Sequence, residues 1–183
     1  QTALYFQDFF PLVVFAGCFV GGMLLCAVGF CVLLFLKAPP SDIRREATAD
    51  KPVRPIFQIV KQPLFMTAFL CASMSYMTMS LVMTAAPLAM MICGFSPDQS
   101  TLAIQFHIMA MFAPSFFTGS LILKFGHAKI IGFGMVLFLL AAGAALAGIE
   151  LANFWAALIA LGLAWNFGYV GGTSLVTRTY EPH

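Results

Sequence analysis

The 183-residue chain is 61% hydrophobic, only 9% charged and carries a formal net charge of +2, whereas soluble domains are about 25% charged. No soluble domain can be recognised in it, and its few bases stand at the ends of apolar runs, which argues against a nucleic-acid-binding surface. The composition is that of one polytopic membrane unit, because a hydrocarbon core about 30 Å thick takes about 20 apolar helical residues per crossing.

The first span is predicted over residues 11–36. Pro11 opens it where a missing N–H is harmless, and Lys37-Ala-Pro-Pro40 stops it. The first 30 residues lack the basic n-region of a signal peptide, and their apolar run is too long for an h-region. Cys18, Cys26, Cys31, Cys71 and Cys93 fall in apolar runs with no CxxC pair and no His at ligand spacing. They read as small packing residues rather than disulfides or a metal site. Residues 37–61 then gather six of the nine Lys and Arg. Within them, 38–55 is a polar, Pro-rich linker. Ile56, Phe57, Ile59 and Val60 with Lys61 suggest a short interfacial helix. The predicted layout is therefore a first transmembrane helix over 1–36, a cytoplasmic linker over 37–63 and four further helices over 64–183.

The second span is expected over residues 64–93, ending at Gly94-Phe-Ser-Pro97, with Pro87 bending its far end. Ser73, Tyr76, Ser80 and Thr84 share one face of it. Ser and Thr can bond their own helix, so Tyr76 is the informative member. The seven Met residues around it are packing side chains suited to adaptable surfaces. The third span is expected over 101–123. His107 lies about 7 Å from its middle at 1.5 Å per residue and is the one ionisable side chain, Tyr and Cys aside, well inside a span. An intramembrane His is a functional candidate by default. Its face continues through Met111, Pro114, Ser115 and Thr118, whereas the face of Gln105 carries Met109, Phe112, Phe116 and Gly119. The polar stripe thus runs with His107, which is expected to look into a cavity; the competing reading is a neutral His bonded between helices.

The fourth span is predicted over 130–149 and the fifth over 154–176. Trp165 and Asn166 fall at the centre of the fifth, and Gly162, Asn166, Tyr169 and Thr173 share a face. A mid-membrane amide and phenol need partners. Aromatic surface beside hydrogen-bonding groups is what a small-molecule site uses, although interhelical bonding would satisfy the same residues. Gly17-x-x-x-Gly21 and Gly168-x-x-x-Gly172 fit close helix approach.

The loops alternate in charge. Segment 37–61 is basic, 94–100 carries Asp98 and no base, Lys124 and Lys129 lie between spans three and four, Glu150 lies between four and five, and Arg178 follows five. Positive loops stay in the cytoplasm. This expectation places the N-terminus outside, the C-terminus inside and Trp155 at the outer interface.

Residues 105–126, QFHIMAMFAPSFFTGSLILKFG, and Ala86-Pro-Leu-Ala-Met90 resemble bacterial members of the major facilitator superfamily. Leu163-Ala-Trp-Asn-Phe-Gly-Tyr-Val-Gly-Gly-Thr173 with Thr177-Arg-Thr-Tyr180 is similar to the tenth helix of that group. The resemblance implies an all-α multi-span bundle comprising helices six to ten of a twelve-helix fold, with 37–61 as the loop joining the two halves. The superfamily's loop pattern G-x-x-x-D-R-x-G-R-K reads here as Gly119-Ser-Leu-Ile-Leu123-Lys124-Phe-Gly126-His127. Leu123 stands where the pattern has an aspartate. Secondary transport of a small organic solute by alternating access around a midplane site is then expected, with Tyr76, His107, Trp165, Asn166 and Tyr169 as the substrate-binding residues. The expected partners are that solute, the lipid bilayer of a bacterial inner membrane, the remaining helices of the same transporter and protons, with His107 as the only carrier this half offers. No cofactor is called for. Neither a G-x-S-x-G nucleophile nor an H-E-x-x-H metal helix occurs, so an enzyme is not expected; a non-catalytic receptor or scaffold is the alternative.

Overall fold

The computed structural model describes residues 16–35 and 55–179, and the regular structure among them is entirely helical. The chain divides into two units, residues 1–52 and 53–183. In the first, helix α1 covers Ala16–Phe35. Pro11, the Lys37 stop and the 38–54 linker lie outside the described residues.

The second unit opens with α2 (Ile56–Val60), the short helix expected there, and Lys61 lies over the Phe57 ring at 4.3 Å. Helix α3 (Pro63–Ile92) follows, with Pro at its start and Pro87 inside it without ending it. Gly94, at φ 84°, closes α3. Its N–H bonds the Met91 carbonyl and the Phe95 N–H bonds the Met90 carbonyl, the paired C-terminal bonds for which a left-handed glycine is suited. Ser96 caps the next helix, α4 (Pro97–Phe112), its side chain accepting from the Gln99 N–H while the Gln99 side chain accepts from the Ser96 N–H. Two orphan donors are satisfied reciprocally.

The third span is not the single helix expected. It is α4 followed by α5 (Ser115–Phe125), bent by 41° at the break. Pro114 supplies the reason. It has no N–H to give the Ala110 carbonyl, and its ring crowds that carbonyl. The α4 ladder closes with the Ala113 N–H on Met109, and the α5 ladder opens on the Pro114 carbonyl. Gly126, at φ 87°, then turns the chain directly into α6 (His127–Leu146), which begins and ends about a turn earlier than expected.

The fifth span is also interrupted. Helix α7 (Leu151–Trp165) passes through a π-helical segment, Asn166–Val170, into α8 (Gly171–Thr177). Pro63–Ile92, His127–Leu146 and Leu151–Thr177 are each long and apolar enough to cross a membrane, and the bent α4–α5 pair makes a fourth span. In the first unit α1 holds a shorter apolar stretch, Val20–Val32. The chain is an all-α, multi-pass membrane protein.

Helix α7 lies at the centre of the second unit. Leu158 and Leu161 on it join Ala86 and Met90 of α3, Ala103 of α4 and Ala141 of α6 in one buried cluster. Glycine allows the approach. A Cβ on Gly162 would lie 2.5 Å from the His107 carbonyl, and one on Gly134 would lie 2.8 Å from the Gly168 nitrogen. The Gly168-x-x-x-Gly172 pair packs on α3, at Ser75 and at Ala68 and Ala72. Gly21 of α1, by contrast, has open space around it among the described residues.

Candidate functional site

Both interrupted spans break near their middles, and Asn166 joins the breaks. Its side chain is fully buried. One Nδ2 proton goes to the Met111 carbonyl at 2.8 Å and the other to Ser115 Oγ at 2.6 Å. Thr118 Oγ1 donates to Asn166 Oδ1 at 2.6 Å and also lies 2.8 Å from the Pro114 carbonyl. In an unbroken helix the Met111 carbonyl would accept from the Ser115 N–H; at the break it accepts from Asn166. One amide thus serves the end of α4 and the first turn of α5.

His107 stands one turn earlier on α4, at 1% exposure. Its Nδ1 lies 2.8 Å from the Leu158 carbonyl on α7, so Nδ1 carries the proton and donates it. Its Nε2 is buried without a partner among the described residues. The ring was expected to look into a cavity; here it ties α4 to α7 at the place where Gly162 lets the two backbones meet. The polar stripe was rightly placed on one face with His107. Its far members, Ser115 and Thr118, lie beyond the break and bond Asn166.

The aromatic residues form a connected series. Trp165 meets Phe112 edge to face at 6.3 Å and stacks on Tyr169 with centroids 4.7 Å apart and planes 13° from parallel. Tyr169 in turn lies 6.1 Å from Tyr76 of α3. Exposure rises along the series: Trp165 is buried, Tyr169 half-buried and Tyr76 exposed. Tyr76 and Tyr169, with Phe69, Ser73 and Thr173, line a concavity of about 560 Å³ between α3 and α8. A second, of about 630 Å³, runs from Tyr76 along α3 past Ser80 to Thr84.

Of the five residues singled out from sequence, Tyr76, Trp165 and Tyr169 come together at this aromatic face. Asn166 and His107 sit behind it, enclosed by helices. Ser115 and Thr118 were visible only as neighbours on a helix face, because their partner lies about fifty residues on. Phe112 was placed on the opposite face and carried no signal of its contact with Trp165. Among the described residues no group of three or more His, Cys, Asp or Glu is gathered as a metal site.

Residues 6–183 match the family model described as Major Facilitator Superfamily. Over its full length the chain is 42% identical to a protein named Riboflavin transporter RfnT from Brucella anthropi, covering 46% of that protein. It is 32% identical over 191 residues to the uncharacterized MFS-type transporter YddS of Bacillus subtilis, a match that takes in 97% of this chain and 43% of the relative. A further Bacillus subtilis protein, the uncharacterized MFS-type transporter YdeG, is 38% identical over 110 residues, 59% of this chain and 26% of its own. The chain spans less than half the length of these relatives. No solved structure matches it.

Proposed function

We propose, because this chain belongs to the major facilitator superfamily, that it supplies helices six to ten of a secondary transporter moving a small organic solute by alternating access. Two structural halves of such a protein rock about a midplane site, and the present residues contribute one wall of it. The observation that carries this reading is the aromatic series ending at Tyr76 and Tyr169 in a concavity near mid-span. Rings presented beside phenol and hydroxyl groups suit a planar, hydrogen-bonding solute. The relative from Brucella anthropi is named for riboflavin, a solute of that shape, and riboflavin is the first candidate here.

In this reading Tyr76 and Tyr169 touch the solute, Trp165 backs Tyr169 rigidly, and Asn166 and His107 hold the helices that present them. The basic segment 37–61 lies in the cytoplasm with Lys124, Lys129 and Arg178, in an inner membrane. The test is flux. The full-length protein in proteoliposomes should take up riboflavin above empty vesicles, and Tyr169→Ala should lower that uptake. If neither riboflavin nor any other planar heterocycle moves, the reading fails.

A further inference from the structure

Helix α5 is held differently from its neighbours. Only Thr118 and Ile122 on it are buried, while Phe116 is 94% and Leu123 83% exposed. A segment with so little buried apolar surface opens at low free energy. At its N-terminal end the backbone ladder is interrupted by Pro114, so the α4–α5 junction lacks the continuous bonding that stiffens a helix. The polar ties across this junction come from the other interrupted helix: Asn166 holds Met111 on one side of the break and Ser115 and Thr118 on the other. By contrast α4 is fixed to α7 by the His107 bond and by the Gly162 approach. Helix α8 is likewise seated, through Gly171 against Ile131 and Gly172 against Ala68 and Ala72.

We propose that α5 is a movable half-helix that swings about Ala113–Pro114, and that the Asn166 side chain is the latch holding it against the rest of the bundle. Asn166 is a positioning residue in this scheme. It meets no solute, but the backbone that carries it continues within one turn to Tyr169, so the latch and the aromatic face share the π-helical segment. Which side of the membrane α5 closes rests on the proposed topology; the motion itself does not.

The latch is tested by distance measurements on the full-length protein in lipid nanodiscs, with native cysteines replaced. Spin labels at Leu123→Cys on α5 and Leu139→Cys on α6 report the swing. A second pair, Leu139→Cys and Ala156→Cys, reports the α6–α7 packing that should stay fixed. Thr118→Val removes one hydroxyl and its bond to Asn166, and Asn166→Leu removes the latch entirely. Thr118→Val should increase the displaced population at Leu123 about fivefold, which corresponds to about 1 kcal/mol and is the scale of one neutral hydrogen bond. Asn166→Leu should increase it further, with the α6–α7 distance unchanged in both. If both variants leave the Leu123 distribution as it was, the latch is refuted. It is equally refuted if Asn166→Leu broadens both pairs while Thr118→Val broadens neither, because Asn166 would then serve general packing.

Discussion

Trp165 and Tyr169 lie face to face, four residues apart on the helix that runs through the π-helical segment. Stacking one ring on the other leaves Tyr169 with a single free face and fixes the direction in which its phenol points. Aromatic side chains carry large contact area at low entropic cost, and a ring already clamped by its neighbour loses less freedom on meeting a solute.

The proposed solute face should respond to truncation in order of exposure. Tyr169→Ala and Tyr76→Ala are each expected to raise KM about fivefold, the scale of one lost aromatic pair at about 1 kcal/mol, with membrane levels near those of the parent. Trp165→Ala, which also empties buried volume, should lower thermal stability as well. Uptake kinetics alongside detergent melting curves would show this, and an unchanged KM in both tyrosine variants would move the solute elsewhere.

Gly162 tests the α4–α7 approach. Adding one methyl places a carbon 2.5 Å from the His107 carbonyl and 3.0 Å from Ala110 Cβ. Overpacking of this kind costs about 1–3 kcal/mol. Gly162→Ala should therefore reduce the amount of folded protein in the membrane and its melting temperature, whereas Gly119→Ala, with open space around it, should do neither.

His107 separates structural bonding from proton carriage. Its Nδ1 proton is committed to the Leu158 carbonyl, a bond that a glutamine amide can replace. His107→Gln is expected to keep pH-gradient-driven uptake, and His107→Leu to lower stability by about 1 kcal/mol. Loss of uphill uptake in the glutamine variant, with solute exchange preserved, would instead make His107 the proton carrier.

The topology is checked from outside. A single cysteine at Ala47 should react only with reagents that reach the cytoplasm, and one at Gln99 only with impermeant reagents added externally. Labelling of Ala47 from the periplasm would invert the whole arrangement.

The spans of the second unit were legible because each is an apolar run bounded by Pro, Gly or charge, and those signals act locally. The stripe from His107 through Ser115 and Thr118 was legible for the same reason, since helical spacing alone fixes a face. The break at Pro114 was not, because the apolar run continues through it and hydropathy does not register one missing N–H. The π-helical segment leaves no mark in composition at all: an i→i+5 ladder uses the same residue types as an α-helix. Nor could spacing reveal that Asn166 answers Met111, Ser115 and Thr118. That pairing exists only once α4 and α7 lie side by side.

The segment Asn166–Val170 has a consequence for how this helix tolerates change in length. A π turn holds one residue more than the α turn it replaces, and each residue of an α-helix advances about 100°. Deleting a single residue there would restore a regular helix and leave Leu151–Trp165 in place, yet rotate everything beyond it by roughly that angle. Gly171 and Gly172 would turn away from Ile131 and Ala72, and bulkier neighbours would face those close contacts. The five-residue segment is thus the register mark of the span, and a one-residue indel here should disturb packing more than most substitutions in the same helix.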